Sequence, residues 1–373
     1  MKTLSHISYR AALRKSIASF LIFCMLFVLP VPVSKAAPQN PNVVGGAAGV
    51  TQTGNTTNVD VLSSRAVINW DSLDTTPQEV LEFMHSGGRF AVLNRVVQGG
   101  ATQFDGSLFG NQGTIVIVNP NGVVFGPTAL VQAYKFTASS LDISNADFMN
   151  GVYRYAGDGV GEVANYGEIS AEQVALIGKK VHNAGTIRSP GGYTIMAAGD
   201  SVYLGSEGSD VMVEVAGVSM DGLGDVVNDG TITSENVILA AGDTYVRAID
   251  GLDALSVVVE TGDGGSVEIN GSVTATNGDV VAHGADDVTV NAPVTVNGEG
   301  NVSLYASGAV NSDVFIKDTV TLDDGSMSVN ANDDIRIGNQ NTNGGIVITG
   351  GGDAELIAGN DIDLTETGSG ITL

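Results

Sequence analysis

Beyond about Gly159 the chain settles into short runs in which apolar and polar residues alternate. Met327, Val329 and Ala331 share one side, then Ile335 and Ile337, then Ile346 and Ile348. The next stretch repeats the order with Ala354, Leu356 and Ala358, then Ile362 and Leu364, then Ile371 and Leu373. A period of two marks strands that bury one face, and turns of Gly, Asn and Asp separate the runs. In this register Ile337 faces inward, Arg336 faces outward, and Asp334 falls in a turn where substitution should cost little. The small residues Ala198, Ala241, Gly284, Ala306, Ala331 and Ala358 recur at gaps of 43, 43, 22, 25 and 27. Two double periods and three single ones predict a unit of 22 to 27 residues with three strands, and Asn-x-Gly-x-Ile recurs at Asn165, Asn183 and Asn228. No such unit closes a core alone, whereas stacked units do.

The expected fold is therefore all-β: a right-handed parallel β-helix, three strands per coil, behind an N-terminal capping region. The hand follows the usual crossover rule. About 24 residues per unit give roughly 14 coils and, at ~4.8 Å between strands, a rod of roughly 65 Å. Antiparallel sandwiches and propellers are the competitors, but a blade needs about 40 to 45 residues.

The N-terminal half is less regular. Residues 37–57 read as an extended lead-in or a capping strand, and Val67 to Trp70 as a strand. Pro77 and Glu79 ahead of Val80, Leu81 and Met84 predict one short helical turn, ended by Gly87 and Gly88. Thr114 to Pro127 reads T-I-V-I-V-N-P-N-G-V-V-F-G-P, two β-branched runs around a tight corner at Asn119, Pro120, Asn121 and Gly122. Proline pre-sets φ, asparagine caps its own backbone, and glycine leaves the turn without steric cost.

The first 36 residues carry Lys2, Arg10, Arg14 and Lys15, an apolar run from Ile17 to Val33, and small residues around Ala36 and Ala37. This is a secretory signal cleaved between Ala36 and Ala37. Pro30 and Pro32 interrupt the run, and no other stretch approaches the ~20 apolar residues of a membrane span, so the chain does not read as an integral membrane protein. Cys24, the one cysteine, leaves with the signal, so the exported chain relies on its core rather than on disulfides. Cleavage also removes five of the 16 basic residues and none of the 41 acidic ones, leaving a net charge of −30, a poor surface for nucleic acid or anionic lipid.

Four stretches come in a telling order: Ala91 to Val96 (A-V-L-N-R-V), Asp105 to Leu108 (D-G-S-L), the corner, and Ser139 to Phe148 (S-S-L-D-I-S-N-A-D-F). Together they resemble the secretion domain of two-partner secretion (TpsA-type) exoproteins, the filamentous haemagglutinin family, most closely over residues 43–155. The family's second short motif, Asn-x-x-Leu, has its counterpart at Asn94 and Arg95, with Val97 in place of the leucine. The resemblance implies residues 1–36 as signal, 37–160 as the two-partner secretion domain, and 161–373 as continuing repeats, with the chain stopping in mid-repeat. It also implies export through the periplasm of a Gram-negative-type bacterium to the medium or cell surface. The partner would be an outer-membrane TpsB-type transporter that recognises Asn119 to Gly122 with Asn94 and Arg95, and the rod would serve as an adhesin or haemagglutinin whose ligand is unknown.

Little else in the chain points to chemistry. His6, His85, His182 and His283 are isolated, and none has metal-ligand spacing. No nucleophile elbow, Walker loop or dinucleotide fingerprint is present. Asp286-Asp287, Asp323-Asp324 and Asp333-Asp334 raise calcium as a possibility, but the Gly-Gly-x-Gly-x-Asp repeat does not recur, the nearest approach being residues 262–265. No cofactor is expected. A polysaccharide lyase or hydrolase is the enzymatic alternative, which would need a basic residue beside clustered carboxylates; fold analogy alone supports it weakly, and a non-enzyme is the preferred reading.

Overall fold

The computed structural model describes residues 37–207, 210–216, 225–248, 256–258, 264–308, 311–338, 344–364 and 370–373. The expected leader, with Ala36 at its expected cleavage edge, lies outside the described residues, as do Gly262 and Asp263 of the 262–265 near-match. Residues 37–373 form one compact unit.

That unit is a right-handed parallel β-helix with three strands per coil. One face is a ten-stranded parallel ladder that starts with Thr102–Phe104, Val123–Phe125 and Glu162–Asn165 and ends with Ile335–Ile337 and Ile362–Leu364. The other two faces belong to a single 19-stranded sheet. Long strands such as Ser107–Val118 and Thr186–Ala198 run from one of these faces into the other, with a register shift at the bend. At the N-terminal end, Asn42–Thr53 folds back antiparallel on Thr56–Trp70. It lays Val43, Ala48 and Val50 against the core, so the lead-in is a capping strand.

The inward positions form continuous columns. Val123, Val163, Val181, Val226, Val267, Val288, Val314 and Ile335 are successive neighbours, all fully buried. β-branched residues suit this role because their stiff side chains pack on a pleated surface. At the corners polar columns take over. Asn165 donates to Asn183 (2.8 Å) and Asn183 to Asn228 (2.7 Å). These are the asparagines of the Asn-x-Gly-x-Ile motif, and all three are fully buried. A second column passes through Asp225, Ser266, Asp287, Asp313, Asp334 and Asp361, in which each side chain accepts the backbone N–H of the next residue along. Its spacings of 21, 26, 21 and 27 residues from Ser266 onward are the coil lengths.

Ala198, Ala241, Gly284, Ala306, Ala331 and Ala358 are neighbours in one column, as the repeat predicts. The gaps of 43 are nevertheless not double coils, since Ala198 lies directly beside Ala241. The surplus residues leave the rod: Ser201–Glu207, Asp210–Ala216, Thr244–Ala248 and Ser256–Val258 join the earlier strands Asp142–Ile143 and Tyr153–Ala156 in a six-stranded antiparallel layer. This layer packs on the outside of the rod in a second core, where Phe148, Tyr155, Val202 and Val213 meet Leu93, Val116, Ala175 and Ile195. The longest face carries twelve rungs among the described residues, from Thr57, Leu81 and Leu108 to Ile346 and Ile371, so at ~4.8 Å per coil the rod is roughly 55 Å long, shorter than the repeat count implied.

The expected helix near Pro77 is a strand. Leu81 and Phe83 face inward in Val80–Met84, which pairs with Thr56–Asp60 and Ser107–Phe109. Glu79 mimics a helix start because its carboxylate accepts the Thr76 N–H (2.7 Å) while its own N–H bonds the Thr76 carbonyl (3.0 Å), closing a lone turn. Among the described residues the helix is Asn145–Asn150, capped by the Ser144 side chain and ended by Gly151 at φ 79°. Asp334 is likewise no bland turn residue, for it is buried under Arg336, Asn360 and the Asp361 amide.

Candidate functional site

The corner at Asn119 is a β-turn closed by the Gly122 N–H on the Asn119 carbonyl (2.8 Å), with the Asn119 Oδ1 accepting the Asn121 N–H (3.0 Å). Gly122 has φ 108°, and a Cβ there would lie 2.7 Å from the Glu162 carbonyl oxygen, so glycine is required twice over.

Both asparagine amides are spent inside the molecule. Asn119 Nδ2 donates to the Gly100 carbonyl (3.0 Å) and to Thr102 Oγ1 (2.9 Å), and Asn121 Nδ2 to the Gly99 carbonyl (3.0 Å). Asn119 is buried, while Pro120 and Asn121 are exposed. The corner thereby ties the loop of one coil to the turn of the next, and the Pro120 carbonyl accepts the Gly161 N–H of the coil after that (3.2 Å).

Asn94 and Arg95 sit on Phe90–Val96, beside Ile117 and Val118, so Arg95 is one position from the corner on the adjacent coil. Asn94 is fully buried, accepts the Trp70 Nε1–H (3.1 Å) and donates to the Val116 carbonyl (3.3 Å). Arg95 grips the segment leading into the helix through Asp142 (2.8 Å), Asn145 (2.7 Å) and the Ile143 carbonyl. The D-G-S-L stretch closes the set: Thr128 Oγ1 donates to the Asp105 carbonyl (2.8 Å), and the Asp105 side chain fills the space that a side chain on Gly126 would need. All four stretches are therefore joined, through Arg95 and Asp142 on one side and Asp105 and Gly126 on the other.

Sequence reasoning found the corner but not its acceptors. Gly99 and Gly100 offer only carbonyls, so no side chain announces them. A cavity of about 270 Å³ opens beside Pro120 and Asn121, lined also by Ser140, Asp142 and residues 157–160.

Among the described residues, one group of carboxylates could converge on a cation: Asp313, Asp333 and Asp334. Arg336 already fills it, 3.2 Å from Asp313 and bonded also to Asp334, whose other oxygen takes Asn360 and the Asp361 amide. Burial opposes the Asp334 charge, but the Asp361 amide, Asn360 and Arg336 outweigh it and hold its pKa below the ordinary value. A cation would have to displace Arg336. A lyase would need a basic residue beside clustered carboxylates, but a guanidinium held by two carboxylates is no proton acceptor.

A coiled parallel rod with a stitched N-terminal corner places the chain among the β-helix domains. The chain belongs to the TPS secretion domain family, whose profile matches residues 34–372. It is 31% identical over 276 residues to the heme/hemopexin-binding protein of Haemophilus influenzae strain Rd, covering 71% of this chain and 29% of the relative. A second Haemophilus influenzae heme/hemopexin-binding protein is 28% identical over 93 residues, which is 25% of this chain and 10% of that protein. The chain thus spans less than a third of the curated relatives it matches. The HMW1 secretion domain from Haemophilus influenzae superposes with a TM-score of 0.58 at 21% identity, covering 88% of this chain and all of that one, a likeness of fold. Among the described residues no helix is long and apolar enough to cross a membrane.

Proposed function

We propose that this protein is the exported partner of a TpsB-type outer-membrane transporter, and that its β-helix is an adhesin-like rod presented in the medium or at the cell surface. The observation that carries the reading is the corner at Asn119 to Gly122, whose amides bond the preceding coil while the adjacent Arg95 holds the next segment. With those donors engaged once the chain has folded, recognition falls on the unfolded segment. The transporter meets Asn94, Arg95 and Asn119 to Gly122 in extended form, and the same groups then close the first coils as the chain emerges. Residues 37–160 carry this recognition and 161–373 extend the rod, after cleavage between Ala36 and Ala37. In this role the chain performs no catalysis.

Expression with and without the partner transporter tests it. The expected result is mature protein beginning at Ala37 in the medium only when the transporter is present; export independent of it, or Met1 retained in a membrane fraction, refutes the reading. The names of the relatives supply a second reading, in which the rod belongs to a haem- or hemopexin-binding protein. Retention of the secreted protein on immobilised hemopexin would favour it over adhesion to cells.

A further inference from the structure

Where the antiparallel outer layer leaves the rod, a cleft of about 530 Å³ opens between them, within the range of small-molecule sites. Its floor is a row of side chains from successive coils: Thr114, Lys135, Gln173 and Tyr193 are in-register neighbours. Tyr134 and Glu172 stand at the adjacent bend, and Arg65, Tyr153 and Leu204 form the opposite wall. Arg65 is fixed there by its bonds to the Phe148 carbonyl (2.8 Å) and the Tyr153 hydroxyl (3.3 Å), and its second guanidinium nitrogen lies over Gly151, where a Cβ would sit 3.1 Å away.

The charge in this cleft runs against the molecule. In a chain of formal charge −25, the lining carries Arg65 and Lys135 against Glu172 alone. Burial disfavours the Lys135 ammonium, and Glu172 attracts it without closing to an ion pair while Arg89 repels it, so its pKa is lowered. Among the described residues no carboxylate closes on this half-buried ammonium. Leu204 is the one aliphatic side chain beyond Cβ in the lining, which leaves no surface for an acyl chain, and the field of the whole protein repels nucleic acid. Three tyrosine rings with hydroxyl, amide and cationic groups around them suit a hydroxylated ring that carries a negative charge.

We propose that this cleft is a binding site for an acidic saccharide of the uronic acid type, with the carboxylate between Lys135 and Arg65 and the sugar faces against Tyr134 and Tyr153. The test is calorimetric titration of the secreted protein with a hyaluronan tetrasaccharide, which carries uronate carboxylates, and with chitotetraose, which is neutral. Saturable binding of the acidic probe that weakens with salt is expected, with the neutral probe at least tenfold weaker. Lys135→Met should weaken the acidic probe at least tenfold. Lys180→Met, which removes the same charge elsewhere on the rod, should change it less than twofold. An unchanged melting midpoint in Lys135→Met keeps the comparison clean; if that variant unfolds, Tyr134→Ser takes its place with the same expected loss. No saturable binding by the wild-type protein, equal affinity for the two probes, or equal effects of the two lysine variants overturns the proposal.

Discussion

Replacing Asn183 with alanine should cost more than the loss of one hydrogen bond, because the residue is the middle rung of a ladder. Its Oδ1 accepts from Asn165 (2.8 Å) and its Nδ2 donates to Asn228 (2.7 Å), with all three residues fully buried. Alanine removes both bonds and strands two groups that water cannot reach. Asn165 Nδ2 keeps only a 3.3 Å contact to the Gly167 carbonyl, and the Asn228 Oδ1 loses its donor. An unsatisfied buried polar group costs about 1–3 kcal/mol, so the two groups together give a loss of about 2–6 kcal/mol. Asn291 is the control: it donates to Asn270 (2.7 Å) in the same kind of column, but in an exposed setting. Water replaces that bond, and Asn291→Ala should cost below about 1 kcal/mol. Urea unfolding of the secreted protein and both variants, followed by far-ultraviolet circular dichroism, reads the difference. If the two variants lose equal stability, the ladder is not what holds the corner, and the burial argument fails.

Three further outcomes follow from the core and its corners. Ile337→Asp places a carboxylate between the fully buried Ile316 and the next coil, and should cost at least about 4 kcal/mol in urea unfolding. Asp334→Asn turns an amide donor or a weakened acceptor toward Arg336 and should lower the melting midpoint at pH 7; the gap to wild type should close as the pH falls through the depressed Asp334 pKa, below which the native carboxylate is itself protonated. His283 is fully buried between Thr244 Oγ1 and Ser307 Oγ, and burial depresses its pKa from 6.5 to about 4. Stability from the neutral ring is complete above pH 6.5 and is lost as pH falls toward 4, by about 3 kcal/mol, so the difference in unfolding free energy between wild type and His283→Gln should shrink by that amount over this window.

Much of the rod is legible in the residue pattern because burial acts at a period of two and the small residues from Ala198 to Ala358 stack in register. The coil count is harder. A coil with an excursion and a pair of coils both alternate, and what separates Ser201–Glu207 from a rung of the rod is its antiparallel partner Asp210–Ala216. That pairing is a tertiary choice. The turn at Pro77 misleads for a local reason, since Glu79 satisfies Thr76 whether a helix or a strand follows. At the site, the turn chemistry of Asn119 to Gly122 can be read directly, but the destinations of its amides cannot, because two are main-chain carbonyls without a residue signature and the third, Thr102, is one hydroxyl among many. Arg95 stands out in the sequence as half of a short motif; its grip on Asp142 and Asn145 spans 47 and 50 residues and emerges only in the fold.

The measurement that bears most directly on the secretion account is the amount of Asn119→Asp, Asn121→Asp and Asn277→Asp protein in the medium when each is expressed with the partner transporter. Aspartate keeps the turn preference but has no amide hydrogens, so the first two variants lose the bonds to Gly100, Thr102 and Gly99. Asn277 is exposed in a turn among the repeats and serves as the control. The account predicts that the variants at 119 and 121 accumulate in or are degraded from the periplasm while the control reaches the medium at the wild-type level; equal amounts of all three in the medium would contradict it.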